Sequence, residues 1–229
     1  MNEINILAMD TATRNCSVAV YAQGEISRIS RESMKHSSKL IGLIQDMLDE
    51  QGIALNDLHM VIVNTGPGSF TGVRTGVGVA QGIAYGLGIP LCGIDSLSIL
   101  ATASGEKGIV LPIMDARMKQ VYAGLYDIGD DLRVMLSPYV CNPDDIQAMN
   151  QQRLTVVGDG WQPYHSVFQM ILGDKAQFLE SVVYPDAASA IDAFIRHGLG
   201  ETGSPLALSA TYIRDNVAQG KPSERTTSS

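Results

Sequence analysis

The chain has 229 residues, 45% of them apolar and 17% charged, which is enough for one large domain or two small ones with real cores. Its net charge of −8 and pI near 4.9 exclude an extensive nucleic-acid footprint, because neutralising phosphates takes clustered Lys and Arg. Three widely spaced cysteines, Cys16, Cys92 and Cys141, form no CxxC pair and fit reduced thiols in a cytoplasmic protein rather than a disulfide framework.

The N-terminal run MNEINILAMD is too short and too acidic for a signal peptide and is predicted to be a first β-strand. With the residues after it, INILAMDTATRNCSVAVY (4–21) reads as two strands joined by a short turn. Asp10, Thr11 and Thr13 in that turn have two readings: a phosphate loop with an acidic metal partner, or local side-chain bonds that close a tight hairpin.

The segment HSSKLIGLIQDMLDEQG (36–52) is predicted to be a helix, with Leu40, Leu43, Ile44, Met47 and Leu48 on one stripe and Ile41 widening it. That is more apolar width than one sheet contact requires. A strand, LHMVIVNTGPG (58–68), leads into the glycine-rich stretch TGPGSFTGVRTGVGVAQGIAYGLG (65–88).

Eight of the chain's 23 glycines lie between Gly66 and Gly88, yet the apolar residues keep a helical period. A P-loop is excluded because no Lys stands at the required place, and GxGxxG is broken by Thr71. A membrane span over 75–94, which is uncharged, is disfavoured by six glycines, Gln81 and Pro90; a helix ending near Gly88 and a buried strand, IPLCGI (89–94), fit better. Gly72, Gly76, Gly78, Gly82 and Gly86 together handicap that helix by about 4 kcal/mol relative to alanine. Two small-residue rows result, Gly72, Gly76, Ala80 and Gly78, Gly82, Gly86, each a groove for another backbone, either within the lobe or from a second molecule.

After the polar loop TASGEKG (102–108) the opening pattern returns as IVLPIMDARMKQVYAGLY (109–126), with Asp115 aligning with Asp10 and Tyr126 with Tyr21. A later apolar run, LTVVGDG (154–160), parallels 58–68. The expected organisation is therefore an N-terminal lobe over 1–104, a smaller C-terminal lobe over 105–216, and a tail, 217–229, with nothing to bury and expected to be disordered. In the second turn Arg117 either meets an anion or pairs with a carboxylate of the protein itself. The four histidines form no HxxxH or HExxH motif, and Ser69 and Ser96 have no His and Asp grouping in the sequence, so no metal site and no catalytic residue is nominated.

Duplicated hairpin lobes resemble the α/β, RNase H-like architecture of the actin, Hsp70 and sugar-kinase superfamily. Within it, ILAMDTAT, GPGSFTGVRTGVGVAQGIA, MDAR and TYIRDNVA are similar to the bacterial TsaB (YeaZ) family over nearly the whole chain. That family resembles the TsaD enzymes, once called glycoproteases, and the resemblance implies a non-catalytic subunit for making threonylcarbamoyladenosine in tRNA. Where TsaD enzymes carry two metal-binding histidines, this chain has Ser96 and Leu100. The resemblance further implies a heterodimer with TsaD, a competing homodimer through the same two helices, and a third partner, TsaE. No cofactor is expected on this chain alone; ATP and a metal belong to the partners, and tRNA is met only through the complex. Carried onto this sequence, the implied contact set is Leu40, Leu43, Ile44, Met47, Arg74, Gly78, Gln81, Gly82 and Tyr85. The rival reading is a small actin-like ATPase or kinase with its phosphate site at Asp10, Thr11 and Thr13.

Overall fold

A computed structural model describes residues 4–32, 36–147, 153–181 and 183–213; the 217–229 tail lies outside them. The chain opens with a three-stranded meander, β1 (Ile6–Asp10), β2 (Asn15–Ala22) and β3 (Glu25–Glu32), followed by α1 (His36–Gln51), β4 (Met60–Asn64), α2 (Phe70–Leu87) and β5 (Leu91–Ile94). After α3 (Ser96–Ala103) comes a second meander, β6 (Gly108–Asp115), β7 (Val121–Ile128) and β8 (Leu132–Cys141), then β9 (Leu154–Val157), α4 (His165–Leu172) and β10 (Ala176–Phe178). Helix α5 (Ala187–His197) and β11 (Glu201–Gly203) follow.

The duplication expected from the sequence is present in the sheets. One has the order β11, β5, β4, β1, β2, β3 and the other β10, β9, β6, β7, β8, so each strand from β1 to β5 has a counterpart from β6 to β10. In both, the meander is antiparallel and the next strands join it in parallel. This is an α/β fold of two RNase H-like lobes.

Strand β1 is apolar at successive positions because both its faces are covered. Leu7 and Met9 point to the core that holds α1 and α2, while Ile6 and Ala8 point to the one that holds α5. Helix α3 has no solvent face over Ser96–Ala101: Leu97, Leu100 and Ala101 pack on the second sheet and Ile99 on the first.

The division at residues 104 and 105 does not follow the packing at the C-terminal end. Strand β11 pairs with β5, and Ala187, Ala190, Ile191 and Ala193 of α5 bury against Ile6, Ala19 and Ile62. Residues 187–213 therefore return to the N-terminal lobe, since its sheet has an apolar second face on which α5 packs. No helix among the described residues is long and apolar enough to cross a membrane. Cys16 and Cys92 are buried and Cys141 half-buried, all free, and burial pushes the Cys16 and Cys141 thiols up to about 11.

Candidate functional site: a sealed hairpin and an open helix face

The first hairpin turn is closed by its own side chains. Asp10 is fully buried, with Oδ1 accepting from the Ala12 N–H at 2.8 Å and Oδ2 from Asn64 Nδ2 at 2.6 Å. Asn64 Oδ1 accepts from the Gly66 N–H and from Ser96 Oγ, both at 2.8 Å, which ties the turn to β4 and α3. Thr11 Oγ1 donates to the Gly72 carbonyl at 2.7 Å, and Thr13 Oγ1 accepts from the Asn15 N–H at 3.2 Å.

Glycines of the GPGSFTG motif cover this turn from above. The Ser69 N–H donates to the Ala12 carbonyl at 2.6 Å, and a methyl built on Gly68 or Gly72 would overlap the carbonyl oxygen of Ala12 or Thr11. At Gly76 it would lie 2.5 Å from Thr11 Oγ1. The first glycine row thus exists for close approach within the lobe. In the second lobe Gly158 and Gly160 press on Ile113 and Met114 in the same manner. Arg117 pairs with Asp115 at 3.1 Å, a carboxylate of the protein itself.

Burial raises the Asp10 carboxyl to about 7, against the opposing pull of the Asn64 and Ala12 hydrogen bonds, with a smaller push from Asp186. The native chain then holds a proton that the unfolded chain releases near the ordinary value of 3.8, so stability falls as pH rises from there through about 7. Urea unfolding at pH 5 and pH 8 should show wild type weaker at pH 8, and Asp10→Asn should flatten that difference. An unchanged slope in the variant would place the titration elsewhere.

The second glycine row points the other way. Among the described residues nothing lies within 4 Å of a Cβ built on Gly78, Gly82 or Gly86, and all three are exposed. At 100° per residue, Gly78 and Gly82 sit at the centre of the outward face of α2, opposite Val73, Val77, Ala80 and Ala84 in the core. The row runs about 12 Å along the helix. Tyr85 and Arg74 flank it, and Ile41 of neighbouring α1 is 65% exposed. Gly42 on α1 is open as well.

Of the nine residues expected to meet a partner, the structure brings Arg74, Gly78, Gly82 and Tyr85 to this surface. Leu40, Leu43, Ile44 and Met47 are buried in the core of their own lobe beneath α1, because a helix lying on a sheet gives its widest apolar stripe to that sheet. Gln81 is half-buried and engaged: its Nε2 donates to the carbonyls of Pro205 and Leu208, at 3.0 and 2.9 Å, in a strap that runs back along α2 after β11. Residues not in the expected set, Ile41, Phe70, Leu206 and Tyr212, are the large exposed side chains of α1, α2 and the strap. Ile41 was legible at the edge of the α1 stripe, which it widens; Leu206 had no signal. No group of three or more His, Cys, Asp or Glu side chains among the described residues is arranged to hold a metal ion.

The model of the TsaD family, tRNA N6-adenosine threonylcarbamoyltransferase, matches residues 28–219. The tRNA threonylcarbamoyladenosine biosynthesis protein TsaB of Haemophilus influenzae is 32% identical, covering 96% of this chain and 98% of its own. Its Escherichia coli namesake is 31% identical, covering 95% and 98%. A solved structure of YeaZ from Pseudomonas aeruginosa superposes with a TM-score of 0.80 at 28% identity, covering 91% of this chain and 99% of that one. With its paired lobes, sealed hairpin and glycine-rich α2, the chain belongs to the TsaB (YeaZ) family, a branch of the wider TsaD family.

Proposed function

We propose that this chain is a non-catalytic docking subunit for threonylcarbamoyladenosine synthesis on tRNA, acting in the cytoplasm, and that its outward α2 face receives TsaD or, in competition, a second copy of itself. The observation that carries the reading is the open row Gly78, Gly82, Gly86: three residues that weaken the helix and on whose outward side a Cβ would meet none of the described residues. Membership of the TsaB family supplies the pathway, through the names of the relatives. Docking would favour the active arrangement of TsaD only by binding it more tightly than the inactive one. On this reading TsaE joins as a third component, and ATP, metal and tRNA are handled by the partners.

A non-catalytic role is supported by what occupies the places where chemistry would be needed. Leu100 is wholly buried between the lobes, Ser96 Oγ is spent on Asn64, and Asp10 and Thr11 are bonded within the sealed hairpin. The same bonds weigh against the ATPase or kinase reading, since an entering phosphate would have to displace α2. The test is a tRNA modification assay with the remaining components, with and without this chain. Loss of product formation without it, restored by adding it back, is the expected result; full activity in its absence would remove the proposal.

A further inference from the structure

In the second sheet β10, β9 and β6 run parallel and side by side, and one basic residue stands immediately before each: Lys175 before Ala176, Arg153 before Leu154 and Lys107 before Gly108. All three line a cavity of about 410 Å³ at the N-terminal ends of these strands, the opposite end of β6 and β9 from the turns at 116–120 and 158–160. Glu106 and Asp174 line it too, so three cations face two carboxylates, on a chain that has 16 Lys and Arg against 24 Asp and Glu. The local sign is the reverse of the global one. Lys107, Arg153 and Lys175 are exposed, and among the described residues none of them is ion-paired.

A second observation comes from the middle strand. Thr155 pairs with Val110 of β6 and Gln177 of β10, so these three side chains share one face of the sheet, while Leu154 and Val156 turn to the core beneath Phe168 and Leu172 of α4. Thr155 is only 8% exposed and lines the cavity, yet its hydroxyl makes no hydrogen bond among the described residues. Buried polar side chains are as a rule hydrogen-bonded. Valine has the same branching and strand preference and would need no partner.

We propose that this cavity binds a small phosphate monoester of about mononucleotide size. Lys107, Arg153 and Lys175 hold the phosphate from the mouth, where Arg153 can offer two charge-assisted hydrogen bonds at once, and the Thr155 hydroxyl donates to it from within. The volume lies in the range of small-molecule sites, and Ile109, Leu154 and Ala176 give the organic part of the ligand an apolar wall. Glu106 and Asp174 repel bare inorganic phosphate and accept from donor groups on a larger ligand. The site is independent of the docking face on α2.

Calorimetry on the full chain tests it with AMP, inorganic phosphate, adenosine and tRNA as probes, on wild type, Thr155→Val, Thr155→Ser and the double variant Arg153→Gln, Lys175→Gln, each with a melting curve. AMP should bind wild type at millimolar concentration or below, more tightly than phosphate, and adenosine should not bind. The double variant should lose at least about tenfold and Thr155→Val about three- to tenfold, with Thr155→Ser restored. No binding of AMP, or AMP binding unchanged in the double variant, would overturn the site; phosphate binding as tightly as AMP would overturn the choice of a monoester. Binding of tRNA that the double variant loses, with AMP inert, would refute the small-molecule site in favour of an RNA backbone contact. Should Thr155→Val melt early, the double variant decides, since both its positions are exposed.

Discussion

A Gly72→Ala variant is expected to lose at least about 3 kcal/mol of stability, enough to lower the melting temperature by roughly 6 to 12 °C. The added methyl would overlap the Thr11 carbonyl oxygen, a backbone atom that cannot rotate away, at a point where Thr11 Oγ1 already bonds the Gly72 carbonyl. Relief requires either α2 or the hairpin to move. Moving the helix strains the bond from the Ser69 N–H to the Ala12 carbonyl; moving the hairpin disturbs the buried pair of Asp10 and Asn64. Alanine is otherwise the better helix residue by about 0.8 to 1 kcal/mol, so propensity alone forecasts the opposite sign. Differential scanning calorimetry decides it, and a variant as stable as wild type would mean that the hairpin is not held as described.

Ten residues further along the same helix, a larger change should do the reverse. In Gly82→Leu the new side chain enters open space, with none of the described residues within 4 Å of its first carbon. The gain in helix propensity is about 0.8 kcal/mol, or roughly 2 to 3 °C in melting temperature for a chain of this size. Its isobutyl group would hold a partner backbone away from the row over a full helical turn, forfeiting the dispersion contacts that depend on close approach. Sedimentation or size-exclusion should then find a well-folded monomer that neither dimerises nor joins TsaD. A tight complex retained by this variant would show that the row faces solvent for some other reason.

The sequence made the duplication readable because β1 and β2 share a strict pattern with β6 and β7, down to Asp10 and Asp115, and both sheets follow it. It also made two glycine rows readable, since spacing by four fixes which residues align along a helix. What spacing could not supply was direction. Both rows have the same period, and only the position of the hairpin determines that Gly72 and Gly76 face inward while Gly78, Gly82 and Gly86 face out. The same ambiguity misassigned Leu40, Leu43, Ile44 and Met47, whose stripe is as wide as an interface yet is filled by β2 and its neighbours. Residues 204–213 were the least legible part. Their hold on α2 runs through two backbone carbonyls that Gln81 reaches and one bond from Arg74 to Tyr212, and neither leaves a periodic trace.

The return of residues 187–213 to the first sheet bears on how the chain is made. A ribosome delivers β1 to β5 first, but the face formed by Ile6, Ala8, Ala19 and Ile62 stays uncovered until α5 emerges more than ninety residues after β5. The early lobe must wait, greasy side showing, while the later lobe is translated in between. A nascent or prematurely ended polypeptide thus lacks both that cover and the segment lying along α2, and only a molecule whose translation has run past Tyr212 can close both faces of the first lobe.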